Sequence, residues 1–194
     1  MLKLQTLEHH VQQLYAHKSP GRSPWTDWLA VHHVFVVADK ATELAQRFGA
    51  NQELARAAAL LHDIADVKLN RSSDKHEQTS LDMARTLMEQ AGYDEKNIGL
   101  VVDDAIRYHS CHDGNIPTSQ EGKVLATADA LAHLQTDFYI FATWMMSKEN
   151  KELDVVKEWT LKKIERDFHD KIQFNEVRDE CREDYAAIKR LFSH

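Results

Sequence analysis

Apolar residues recur at steps of three and four along almost the whole chain, a pattern that predicts helices from end to end. Leu4, Leu7, Val11 and Leu14 mark a short amphipathic helix ahead of the loop HKSPGRSP. Ser23 then reads as a cap and Pro24 as the start of a helix that runs to Phe48 and stops at Gly49. Leu54, Ala58, Leu61 and Ala65 form the stripe of a third. A fourth opens at Asp74, with Glu77 three residues on as in a capping box, and ends near Gly92. Ile98, Val102, Ala105 and His109 outline a fifth, and after the loop SCHDGNIPTSQEG a sixth covers Val124 to Leu134, with an apolar extension toward Met146. Two last stripes, Leu153 to Phe168 and Phe174 to Phe192, read as packing helices.

Only six Gly and three Pro occur in 194 residues, and Pro20 and Pro24 share one loop, so helix breakers are scarce and an all-α fold is expected. With 43% hydrophobic residues, and no repeat or long linker, the chain reads as one domain over 1–194. A formal charge of -7 without any basic run argues against a nucleic-acid partner. Cys111 and Cys181 form no CxxC pattern, so neither a disulfide framework nor a thiolate zinc site is expected. The N-terminus lacks a continuous apolar segment and no stretch approaches membrane-spanning length, which points to a cytoplasmic protein.

One segment departs from ordinary core chemistry. In ALLHDIAD, residues 59–66, an apolar run ends in His62, Asp63 and Asp66, where a charge is costly unless it is paired or bound to a metal. A His-Asp dipeptide is weak alone, since about one is expected by chance in a chain with this many His and Asp. Three occur, but His112-Asp113 and His169-Asp170, the latter among Arg166, Asp167 and Lys171, lie in contexts that read as solvated surface. Helical faces select the rest. His33 shares a stripe with Val37, Ala41, Leu44 and Phe48, whereas His32 falls on the polar side with Asp39 and Glu43. His76 lies over Ser80, Met83 and Leu87, and His109 continues the stripe of the fifth helix. Asp129 sits in ATADALA, where small neighbours allow other helices to come close. Four inward His with Asp63 and Asp129 form a costly polar cluster unless a divalent ion binds them; neutral imidazoles and carboxylates suit Mn, Fe, Ni, Co or Zn.

The order His33, His62-Asp63, Asp129, on successive helices, resembles the HD superfamily of metal-dependent phosphohydrolases. HHVFVVADKATELA, AALLHDIAD and KVLATADALAHL carry the resemblance, which covers about residues 25–135 and leaves the helices of about 137–194 outside. It implies an HD-domain helical bundle with additional C-terminal helices, in which His33, His62, Asp63 and Asp129 hold one divalent ion (Mn, Fe, Ni, Co, Mg or Zn). A metal-activated water would then hydrolyse a nucleotide phosphomonoester, pyrophosphate or dinucleoside polyphosphate bond. Asp66 stands where the one-metal nucleotidase branch carries a catalytic acid or base. His76 and His109 match the two-metal branch, with Asp63 as the natural bridge, or would hold phosphate.

Lys68 is a candidate contact for substrate phosphate, and Trp25 and Trp28 could stack on a base or simply pack. Arg107 falls opposite the inward side of its helix. The expected partner is a small phosphorylated substrate, with no membrane and with a homodimer left open. Two other readings fit the same donors: a metal-stapled nucleotide- or partner-binding domain without turnover, and a di-iron HD-domain oxygenase.

Overall fold

The computed structural model describes residues 2–193, and every regular element among them is helical, as the periodicity predicts. Helix α1 (Leu2–Ala16) buries Leu7, Val11 and Tyr15. The helix expected from Pro24 to Phe48 is a composite: α2 (Thr26–Leu29), a π-helical turn at Ala30–Val34, and α3 (Phe35–Phe48). It stops at Gly49, whose φ of 72° allows its N–H to close on the Ala45 carbonyl.

Helix α4 (Gln52–Leu61) is capped by Asn51, which accepts the Leu54 N–H at 3.1 Å. The stripe predicted to reach Ala65 is broken sooner. Asp63 leaves helical geometry at φ -123°, ψ 30°, and Ile64–Val67 form a 3-10 turn. The physical reason is a tie to another segment, because the Asp66 carbonyl accepts the Ser23 N–H and the Thr26 hydroxyl, both at 2.8 Å. The capping box expected at Asp74 and Glu77 is likewise absent before α5 (His76–Gln90). Ser73 fills that place, its hydroxyl accepting from the Lys75 N–H at 3.3 Å and its carbonyl from the His76 N–H at 3.0 Å.

Helix α6 (Glu95–Gly99) runs into a second π-helical segment, Leu100–Ile106, and is followed by α7 (Gln120–Leu134). The extension of α7 toward Met146 is interrupted before α8 (Phe138–Lys148), where the Thr136 hydroxyl donates to the Ala132 carbonyl and accepts the Phe138 N–H. The chain closes with α9 (Leu153–Arg166), a third π-helical turn at Asp167–Lys171, α10 (Asn175–Glu180) and α11 (Arg182–Phe192).

Helix α7 is the axis of the bundle. It is buried on nearly every side and packs against α3, α4, α8, α11 and the π-helical segments 100–106 and 167–171. Close approach begins at Gly122, where a Cβ would lie 2.5 Å from Pro117 Cβ and 3.1 Å from Ala105 Cα. Ile164, Phe168, Ile172 and Val177 join the same apolar cluster as Leu60 and Val37, so the C-terminal helices pack onto one continuous core. Both cysteines are free and buried, and no helix of the described residues is long and apolar enough to cross a membrane.

Candidate metal centre

Three elements deliver the first donors. His33 sits on the π-helical turn that widens the helix ahead of α3, His62 ends α4 where the chain turns off, and Asp129 lies midway along α7. All three are almost fully buried, and one donor atom from each lies within 4.8 Å of the others. His33 Nε2 is 3.2 Å and His62 Nε2 3.9 Å from Asp129 Oδ1. Those three atoms are buried without a hydrogen-bond partner among the described residues. Such orphaned atoms are costly unless they share a cation. The tautomer of His62 suits this role, because Nδ1 meets the Ala59 carbonyl at 2.7 Å and so carries the proton, leaving the Nε2 lone pair free. Burial holds both imidazoles below their ordinary pKa, His33 at about 4, so they are neutral near pH 7. Burial alone would raise the Asp129 carboxyl, but His133, Lys171 and the ligand histidines hold it well below the usual range. His33, His62 and Asp129 are therefore positioned to hold a metal ion.

Asp63 stands at the edge of this group. Its Oδ2 is 3.6 Å from His62 Nε2 and accepts a close contact from Arg71, on the loop before α5. Arg71 also comes within 3.5 Å of Asp66. Asp66 is wholly buried and its Oδ1 meets His76 Nε2 at 3.0 Å. Burial raises its pKa against the opposing effect of His76. Asp66 thus lies behind His76, and the imidazole of His76 is the member of the pair that lines the cavity. His109 is half-buried, and its Nδ1 meets the Ile106 carbonyl at 2.5 Å, which turns Nε2 outward; its ring packs edge-on to His62 at 5.3 Å.

The sequence reasoning missed a second layer. His133 stacks on His33 with ring centroids 5.0 Å apart and brings Nε2 to 3.2 Å from Asp129 Oδ1. Its Nδ1 meets Asp167 Oδ2 at 2.9 Å, and burial pushes its pKa down to about 3. Asp167 also accepts from the Tyr139 hydroxyl at 2.5 Å and lies 3.5 Å from Lys163 and 3.8 Å from Lys171. Lys171 in turn contacts Asp129 Oδ2 closely. Asp129, His133, Asp167 and Lys171 form a closed ring of polar contacts. The signal for His133 was present, since it stands four residues after Asp129 on one helix. Asp167 and Lys171 carried a weaker signal, standing three and seven residues after Ile164 on its apolar stripe. The stretch around His169-Asp170 reads as solvated from its sequence; those two residues are exposed, but Asp167 and Lys171 beside them are buried, because they lie on the face of Ile164, where the turn 167–171 packs against α7.

His62, Asp63 and Asp129 line a cavity of about 420 Å³. Arg71, Arg107, Lys163, Arg166 and Lys171 line it, together with the aromatic rings of Trp25, Phe138 and Trp159. Arg107, set aside on the helical-face argument, reaches this space because the π-helical segment before it shifts the register of the face. Lys68 does not line it; it is exposed on a separate groove beside Leu14 and Met83, and Arg71 is the cation from that loop that faces the centre. Trp28 packs on Phe141, with ring centroids 4.0 Å apart. His32 is exposed, as its helical face predicts.

An all-helical bundle with His and carboxylate donors gathered at its centre defines an α-domain positioned to hold a metal ion. Residues 30–134 match the model of the HD domain, and the chain belongs to that family. A crystal structure of a predicted HD superfamily hydrolase from an uncultured Thermotogales bacterium superposes with a TM-score of 0.60 at 20% identity, covering 96% of this chain and 87% of that one. No curated protein matches the sequence.

Proposed function

We propose that the protein is a metal-dependent phosphohydrolase acting on a small phosphorylated substrate, a nucleotide or related phosphate ester or anhydride. The observation that carries this reading is the convergence of His33 Nε2, His62 Nε2 and Asp129 Oδ1, buried and unpartnered among the described residues, with His62 and Asp129 facing a cavity lined by several cations. Asp63 completes the ligand set by turning from Arg71 toward the space beside His62. A divalent ion held there supplies a Lewis acid for a phosphoryl oxygen and lowers the pKa of water.

The remaining steps belong to the chain. Arg71 and Lys171 orient the phosphate as charge-assisted donors, and Arg107 and Arg166 attract it toward the centre. His76, oriented by Asp66, exchanges the proton with the attacking water or the leaving oxygen, so Asp66 acts through His76. His109 Nε2 offers a further donor to phosphate or to a second ion. Trp25, Phe138 and Trp159 suit the apolar face of a base, which favours a nucleotide.

The test is one panel of nucleotides, dinucleoside polyphosphates and phosphomonoesters, assayed with Mn, Mg, Co and Ni. Metal-dependent release of phosphate or pyrophosphate is expected from at least one class, with loss in His33→Ala and Asp63→Ala. No turnover of any member by metal-loaded protein would overturn the hydrolase reading.

A further inference from the structure

The carboxylates around the centre are already matched by cations of the chain. Arg71 contacts Asp63, Lys171 contacts Asp129, and Lys163 lies 3.5 Å from Asp167. His33 and His62 must each present a free Nε2 lone pair to hold an ion and so add no charge to the balance. A divalent ion therefore adds two positive charges where Asp63, Asp129 and Asp167 are already paired and Asp66 is held by His76 and Arg71, in a buried site where like charges repel strongly. An anion is needed to close the balance.

Arg71 and Lys171 both border the cavity where such an anion would sit. They differ in freedom. Lys171 is 2% exposed, and its backbone is tied to the helix that carries Asp129: the Thr127 hydroxyl lies 3.4 Å from the Lys171 carbonyl and accepts the Gln173 N–H at 3.0 Å. Arg71 rides on the loop between the 3-10 turn and α5, and its side chain is a quarter exposed.

Resting on the metal-centre reading above, we propose that Lys171 and Arg71 are resident cations that make divalent-ion and phosphate binding cooperative. They oppose the ion while they occupy Asp129 and Asp63, and favour it once a phosphate oxygen lies between ion and cation. Arg71 moves from Asp63 to the phosphate, while Lys171 keeps Asp129 Oδ2 and presents another N–H to the cavity. Reciprocity follows from linkage, so the ion must tighten phosphate by the factor with which phosphate tightens the ion. Lys171 lies outside the matched residues 30–134, so this coupling would be a contribution of the C-terminal helices.

The test is Mn binding to metal-stripped full-length protein, read from the electron paramagnetic resonance signal of free Mn, with and without inorganic phosphate. In the wild type, phosphate should tighten Mn by about tenfold or more. Lys171→Met and Arg71→Gln should each bind Mn alone more tightly than the wild type and lose most of the phosphate effect. Weaker Mn binding with the phosphate effect intact would overturn the proposal, since both side chains would then be structural supports. So would a wild type whose Mn affinity ignores phosphate. If Lys171→Met does not fold, the loop variant Arg71→Gln carries the same comparison. Coupling without turnover of any phosphate compound would remove the hydrolase reading and leave this inference standing; turnover without coupling does the reverse.

Discussion

Replacing Asp167 by Ala separates a buried charge network from a surface one. The carboxylate is 0% exposed and faces His133, Tyr139, Lys163 and Lys171. Burial alone would raise its pKa, but Lys163, His133 and Lys171 together hold it well below the ordinary range, so it is ionised and paired. Its removal leaves two largely buried ammonium groups and a phenol short of a partner, and losing one member of such a group costs about 3–5 kcal/mol. That is a large part of the roughly 5–15 kcal/mol that holds a domain together. At about 2–4 °C per kcal/mol for a chain of this size, the melting midpoint should fall by about 6–20 °C.

Calorimetry and urea titration of metal-stripped protein measure this directly. Asp170→Ala, three residues away and exposed, is the control and should leave the midpoint in place. A second readout concerns the ion: with His133 unanchored, Mn affinity of Asp167→Ala should fall by roughly 10- to 100-fold. A midpoint within about 2 °C of wild type would refute the argument, because the ring would then carry little stability.

Other outcomes follow from single contacts. His33→Ala should abolish retention of Mn measured by elemental analysis, whereas His32→Ala should bind it as the wild type does; equal retention would remove His33 from the ligand set. Asp66→Asn should lower turnover by about two orders of magnitude with metal content near wild type, and His76→Ala should match it, since the two act as one unit; loss of metal in either would make the pair a support of the centre. Gly122→Ala forces a methyl onto Pro117 and Ala105 and should cost about 1–3 kcal/mol in urea unfolding, a null result showing that α7 can shift. Burial holds His33 at about 4 and His109 and His133 at about 3, below the ordinary 6.5. Between those values and pH 6.5 the unfolded chain takes up protons that the folded one does not. Stability of metal-stripped protein should therefore be full above pH 6.5 and fall as pH drops toward 4, by up to about 1.4 kcal/mol per unit for each such histidine; a flat profile there would contradict their burial.

Periodicity alone determined that the chain is helical, that Gly49 ends a helix, and that His33 points inward while His32 points out. These are properties of one helix and its own faces, and they survive whatever packs against it. The order of His33, His62, Asp63 and Asp129 likewise carried the family, because each lies in an apolar run that fixes its orientation. Only tertiary structure decided the rest. The Asp66 carbonyl bonds to Ser23 and Thr26, a long-range tie that cuts the third helix at the His-Asp pair and puts Asp66 behind His76. The π-helical segment 100–106 turns Arg107 toward the cavity, away from the face that a 3.6-residue repeat assigns to it. Asp167 and Lys171 read as solvated from their charge and their charged neighbours, although they share the face of Ile164 and Phe168, which α7 covers. Their charges are tolerable in the interior only because His133, Tyr139 and Asp129 arrive from the other side of the bundle.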